Sequence, residues 1–269
     1  MASDTEPAAR YEVRGRVALI TLNRPDARNA VNAALSTAVG AGLEAAAADP
    51  DVRVIVITGA GQSFCAGADL KELAQGRSIH AEGHPEWGFA GLIQHWVDKP
   101  VIAAVNGAAM GGGTEIALSC DLVVAADTAK FGLPEVKRGL YAAAGGVIRL
   151  QRQIPLKRAL ELALTGEGID AETAVAWGLI NRVTPAGTEL DAALELANII
   201  AANAPLAVQI SKKMIHRTWS ATSEWNADWS GEDPWDANNE ALGVVFSSND
   251  AMEGPRAFAE KREPRWSGT

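Results

Sequence analysis

Cysteine is nearly missing from this sequence: Cys65 and Cys120 are the only two in 269 residues, and no CxxC spacing relates them. That excludes a disulfide framework and fits a reducing compartment. Histidine is scarce too, with four in all. His80 and His84 have the spacing of one helix face, but Gly83 and Pro85 interrupt the segment. A solvated loop is expected there, and no metal site. Positive charge is in deficit, 24 Lys and Arg against 33 Asp and Glu, for a net charge of −9. This argues against partners that demand a basic face, so no nucleic acid and no membrane is expected to bind. No apolar run approaches the roughly 18 residues of a spanning helix. Residues 1–10 also lack a basic stretch followed by an apolar one, so a cytoplasmic location is expected.

What is abundant is small: 26 glycines, in a composition that is 48% hydrophobic. That apolar content suffices for a core and excludes disorder as the dominant state. Residues 11–22 alternate around Gly15 and predict a hairpin. A helix is expected from Asn32 to Asp49, where Pro50 ends it. Residues 53–59, 101–105 and 121–126 are continuous apolar runs of the kind found in buried strands. Helices are expected over 91–98, from the triple glycine to Cys120, and over 146–153. Residues 76–88 read as a mobile loop. Beyond Pro155 the pattern is mostly helical: 155–164, 170–177, 188–203, 205–218, 235–246 and 249–261. Tryptophans crowd the stretch 219–235, which reads as a packing surface. Strands alternate with helices early and helices dominate late, so the fold class is α/β with a helical C-terminal appendage.

The common nucleotide and hydrolase fingerprints GxGxxG, GxxxxGK[ST] and GxSxG are absent. Instead, two turns of one design follow buried strands, at Gly67-Ala68-Asp69 and at Gly111-Gly112-Gly113. Small residues leave backbone N–H groups uncovered, and a following helix adds partial positive charge. Facing each other, two such turns form a two-donor pocket for an oxygen that becomes negative during reaction. Singly, each says no more than close packing. Glu115 and Glu135 stand 20 residues apart, both among small or apolar neighbours. Burial and mutual repulsion raise carboxyl pKa values, and one protonated with one charged member makes an acid/base pair. Taken alone, either glutamate would equally suit a helix N-terminus.

At these residues the sequence resembles the crotonase (enoyl-CoA hydratase/isomerase) superfamily. The segments that carry the likeness are ITLNRPDARNAV, VIVITGAGQSFCAGADLKEL, KPVIAAVNGAAMGGGTEIALSCDLVVAAD, FGLPEVKRGL and AFAEKREPRW, in family order over about residues 10–266. The resemblance implies a superhelix of repeated ββα units in residues 1–204. It implies a helical C-terminal region, 205–269, that builds homotrimers or hexamers. The implied activity is syn addition of water to a trans-2-enoyl-CoA in fatty-acid or related acyl-CoA degradation. No cofactor is implied beyond the CoA of the substrate. Glu115 and Glu135 match the catalytic pair, and Ala68 and Gly112 match the oxyanion-hole amides.

The likeness also places CoA contacts at Arg24, Ala27, Arg28, Ala68, Asp69, Leu70 and Lys71. Phe258 is expected near the adenine, and Lys261 is expected to reach the CoA of a neighbouring subunit. A water-positioning amide falls at Ala143, where the sequence departs from a common Pro-Gly pair, and Tyr141 is expected to narrow the acyl tunnel. Alternatives within the fold are an enoyl-CoA isomerase, a hydroxyacyl-CoA dehydratase and a non-catalytic acyl-CoA-binding protein.

Overall fold

The computed structural model describes residues 6–218, 246–262 and 264–265, together with Trp235, Asn239 and Gly243. The expected hairpin forms from β1 (Ala9–Arg14) and β2 (Val17–Leu22), which pair antiparallel around Gly15. Helix α1 (Ala33–Ala48) starts where the Asn32 side chain accepts the Leu35 N–H, and ends before Pro50. Next come β3 (Val54–Gly59), β4 (Ser63–Cys65) and α2 (Leu70–Ala74). The same strand-strand-helix order repeats in β5 (Val101–Val105), β6 (Ala108–Met110) and α3 (Gly112–Ser119). A third turn runs through β7 (Leu122–Ala126) and β8 (Lys130–Gly132) into a 3-10 helix, Pro134–Arg138. Then follow α4 (Gly146–Gln153), α5 (Leu156–Thr165), β9 (Gly168–Asp170), α6 (Ala171–Trp177), β10 (Arg182–Thr184), α7 (Glu189–Ala201) and α8 (Pro205–Thr218). Helix α9 (Asn249–Ala259) is the last described element.

Two sheets wind through these repeats. One has the strand order β1-β2-β3-β5-β7-β10, parallel except for the hairpin. The other, β4-β6-β8-β9, is built of three-residue strands. Residues alternate between the two faces of the larger sheet. Val17, Leu19, Val54, Val56, Ile102 and Val124 pack against Ala193, Ala197 and Ala201 of α7. Ile20, Ile55, Ile57 and Ala103 face the main core with Leu35 and Leu43 of α1. Burial on both faces explains the unbroken apolar runs.

The short strands β4, β6, β8, β9 and β10 are additions to the sequence reading. A correction concerns 91–98, which is not a helix: a 3-10 turn over Phe89–Gly91 leads into irregular chain. Gly88, Ala90 and Gly91 all have positive φ, at 71, 58 and 65°. The backbone crosses α1 so closely that a Cβ on Gly91 would lie 2.1 Å from the Ser36 carbonyl oxygen. The loop expected over 76–88 is anchored, because Trp87 stacks between His84 and His95 at 3.9 and 4.6 Å and covers Gly40. The tryptophans expected to pack within 219–235 lie outside the described residues, Trp235 excepted.

Asn29 is the hub of the first turn. Fully buried with φ of 56°, it donates from Nδ2 to the carbonyls of Ala60, Ser63 and Phe64 and accepts the Arg24 N–H. Asn29→Ala strands these groups and puts a Cβ residue without a polar tip in a left-handed conformation. A stability loss of about 3 kcal/mol is expected, read from the shift of the urea midpoint.

Candidate active site

Pairing of β4 with β6 and of β6 with β8 stacks three successive turns side by side. The first, residues 66–69, is held by hydrogen bonds from Val31 N–H to Gly67 O and from Asp69 N–H to Val31 O, at 2.8 and 2.9 Å. Gly67 has φ of 91°, and a Cβ there would lie 3.0 Å from the Gly112 nitrogen. The second turn, at Gly111, is therefore in van der Waals contact with the first. Gly111 opens α3 with φ 56° and ψ −123°, a conformation that favours glycine. The Thr114 hydroxyl ties α3 to the small sheet, 2.7 Å from the Ala109 carbonyl and 2.9 Å from that of Gly132. Among the described residues neither the Ala68 nor the Gly112 N–H has an acceptor. Two donors without an acceptor among the described residues thus stand on turns in contact with each other.

Glu115 lies in the first turn of α3 and is buried. Its Oε1 accepts the Gly146 N–H at 2.8 Å, from the first residue of α4. Glu135 comes in from the third turn, on the 3-10 helix that follows β8. Its Oε1 lies 2.9 Å from the point a Cβ on Gly111 would occupy, and its Oε2 is buried with no partner among the described residues. Both glutamates therefore converge on the turn that opens α3 and carries the Gly112 N–H. Burial pushes both carboxyl pKa values well above the ordinary glutamate value of 4.5. Repulsion by Glu135 raises Glu115 further, while the Gly146 and Ala144 N–H groups and Arg149 oppose the rise. Two such carboxyls share protons and titrate as a unit. Burial also pushes the Cys65 thiol up to about 12, so it remains a thiol rather than a nucleophilic thiolate.

These shifts carry a stability signature. As pH rises past 4.5, the unfolded chain releases protons that the folded pair retains, so stability falls with increasing pH. Well below that value the penalty is absent. Glu115→Gln removes part of it while leaving an acceptor for Gly146. The variant's urea midpoint, compared with the parent's, is expected to gain progressively from about pH 5 to about pH 8.

Other expected site residues divide. Arg24 pairs with Asp69 at 3.0 Å and donates to the Ala30 carbonyl, so it braces the turn rather than offering a free cation. Asp69 caps α2 by accepting the Lys71 N–H. Ala27 ends a 3-10 turn, Pro25–Ala27, and Leu70 opens α2, both half-buried. Arg28 and Lys71 are exposed beside this turn, Arg28 lending its carbonyl to the Ala66 N–H. The Ala143 N–H donates to the Tyr141 carbonyl at 2.8 Å, so the donor expected to hold water is engaged within its own loop. Burial raises the Tyr141 phenol's pKa, and the charge of Glu115, within electrostatic reach, raises it further.

Helix α9 packs on its own chain, against α2 and the 3-10 helix that carries Glu135. A Cβ on Gly254 would lie 1.6 Å from the Arg138 carbonyl oxygen, and the Phe258 ring sits 5.2 Å from the Arg138 guanidinium. Lys261 follows in a left-handed conformation, exposed. Phe258 thus lies against the 3-10 helix that carries Glu135, with Lys261 just beyond the end of α9. Leu73, Leu140, Met252 and Pro255 line a cavity of 330 Å³ between α2 and α9.

Sequence reasoning missed the Gly146 donor, the Asn29 hub and Phe89, whose ring lies over Gly112. In the sequence, the Gly145-Gly146 pair ahead of the helix over 146–153 is the signal for that donor. No group of three or more His, Cys, Asp or Glu is placed to hold a metal among the described residues. No single described helix is long and apolar enough to cross a membrane.

Comparison with known proteins agrees with this geometry. The enoyl-CoA hydratase/isomerase family matches residues 12–269. A carnitinyl-CoA dehydratase of Citrobacter koseri is 43% identical over 256 residues, 94% of this chain and 96% of the relative. The crystal structure of a carnitinyl-CoA hydratase from Mycobacterium avium superposes with TM-score 0.91 at 54% identity, covering 98% of this chain and all of that one. For an enoyl-CoA hydratase from Mycobacterium tuberculosis the TM-score is 0.77 at 46% identity, with the same coverage. With its paired turns, its ββα superhelix and this match along nearly its whole length, the chain belongs to the enoyl-CoA hydratase/isomerase (crotonase) family, whose members act on acyl-CoA thioesters.

Proposed function

We propose that this protein is a hydro-lyase that adds water across the 2,3 double bond of a trans-2-enoyl-CoA, and removes it in the reverse direction. The observation that carries the reading is the convergence of the buried Glu115 and the half-buried Glu135, whose Oε2 is itself buried, on the paired turns that carry the Ala68 and Gly112 N–H groups. In the forward direction the pair holds a water whose oxygen bonds to C3 as one carboxylate accepts its proton. A proton is delivered to C2, and the thioester oxygen carries enolate charge between the two amides. Each such donor is worth about 3–4 kcal/mol in other oxyanion holes. An isomerase needs only one of the two carboxyls, so the presence of both supports hydration.

Arg28, Lys71 and Lys261 are the cations proposed to meet the CoA phosphates, with Phe258 beside the adenine. The exposed Leu206, Ile210 and Ile215 of α8 support an oligomerisation role for residues 205–269, as a trimer or hexamer. A second reading, dehydration of carnitinyl-CoA, is favoured by the names of the relatives at 43% and 54% identity. Loss of the conjugated-thioester absorbance with crotonyl-CoA and longer enoyl-CoAs tests the first reading, and its appearance with carnitinyl-CoA tests the second. Inactivity toward all of these, alongside tight acyl-CoA binding by calorimetry, would leave a binding protein instead.

A further inference from the structure

Arg149 plays no part in the chemistry set out above, yet it ties together three segments around Glu115. It stands three residues beyond Gly146, and its own N–H donates to the Gly145 carbonyl at 2.8 Å. Nη2 donates to the Ile93 carbonyl at 2.5 Å, in the stretch that follows Phe89. The guanidinium lies 5.4 Å from the Trp235 ring. Nη1 is packed over Gly145, where a Cβ would sit 2.3 Å from it, and is buried with no hydrogen-bond partner among the described residues.

Such a group is costly to bury and hard to neutralise, because a guanidinium keeps its proton in proteins. Its favourable charged neighbour is Glu115, with Arg152 repelling it and Cys120 nearby as a buried thiol. Beyond Cys120, Asp121 is already engaged by Lys212 and His216. Glu115 in turn faces Glu135 from the 3-10 helix, Tyr141 from the following loop, Cys65 from β4 and Arg149 from α4. Arg149 is the sole permanent cation in that set.

We propose that Arg149 is a positioning residue for the carboxyl pair, locking the Gly145–Gly146 turn against the Phe89–Ile93 segment and presenting a fixed positive charge to Glu115. Its role in turnover rests on the hydro-lyase reading, but its effect on the pair does not. A nearby cation favours the ionised carboxyl, so its removal makes the pair hold its protons to higher pH.

Arg149→Gln keeps a donor for the Ile93 carbonyl and loses the charge, whereas Arg149→Lys keeps the charge and loses the planar fork. The test titrates the buried carboxyls of the substrate-free protein by difference infrared spectroscopy, with Glu115→Gln to assign the band. Thermal unfolding of each variant checks the fold. Arg149→Gln is expected to move the midpoint up by about one pH unit, and Arg149→Lys to restore most of it. With crotonyl-CoA, the acidic limb of the rate profile should move by the same amount. An unshifted carboxyl titration in folded Arg149→Gln, or an equal shift in Arg149→Lys, overturns the proposal. Absent hydration by the parent with the titration shift intact would instead sink the hydro-lyase reading alone.

Discussion

Glu115→Gln and Glu135→Gln are each expected to lower the turnover of enoyl-CoA hydration by about 10²- to 10⁴-fold, the usual contribution of one acid or base. Glutamine preserves the shape of either side chain and, at position 115, an acceptor for the Gly146 N–H. What it removes is the titratable proton. The loss should therefore fall on kcat, while KM for the enoyl-CoA changes little. The double variant is expected to be about as slow as the worse single one, because the two carboxyls act on the same water. Initial rates of absorbance loss from crotonyl-CoA, with thermal unfolding beside them, provide the check. Two single variants that both turn over like the parent would remove the pair from the mechanism.

Gly113→Ala should damage the site from the opposite direction, by moving backbone rather than removing a functional group. A Cβ on Gly113 would lie 2.1 Å from the Cys65 carbonyl oxygen and 2.9 Å from its carbon. Neither is a flexible side-chain end, so α3 has to withdraw from the first turn. A stability loss of about 1–3 kcal/mol is expected for such overpacking. Withdrawal also separates the Gly112 donor from that of Ala68, for which a fall in kcat of about 10²-fold is expected. Gly83→Ala provides a control, since its surroundings are open, although its φ of 78° adds local strain. Activity and urea midpoint measured together decide the point. A folded Gly113→Ala protein with parental kcat would show that the spacing of the two turns is irrelevant.

Much of the fold was readable wherever the signal was local. The hairpin around Gly15, the capped helix α1 and the apolar strands β3, β5 and β7 each carry a period or a turn residue in their own sequence. The strands of the smaller sheet do not, because three residues are too few to show alternation. Residues 91–98 misled for a different reason. Leu92, Ile93 and Val97 are buried, as a helix face would be, but Gly88, Ala90 and Gly91 turn the chain left-handed before a helix can start. At the site, the two glycine turns were visible as sequence, whereas their contact depends on pairing β4 with β6. The pairing of Arg24 with Asp69 was not legible because the two stand 45 residues apart. The seat of α9 likewise follows from tertiary contacts that no local pattern encodes.

The smaller sheet has a consequence for how mutations sort. Side chains alternate with a period of two, so an insertion of one residue in β6 would reverse which way the rest of that strand faces. The larger sheet has its own pairings and its own cover in α7, and would withstand that slip. Insertions and deletions over 63–65, 108–110 and 130–132 should therefore yield soluble, cooperatively melting proteins without activity. A screen that scores expression alone would count them as healthy.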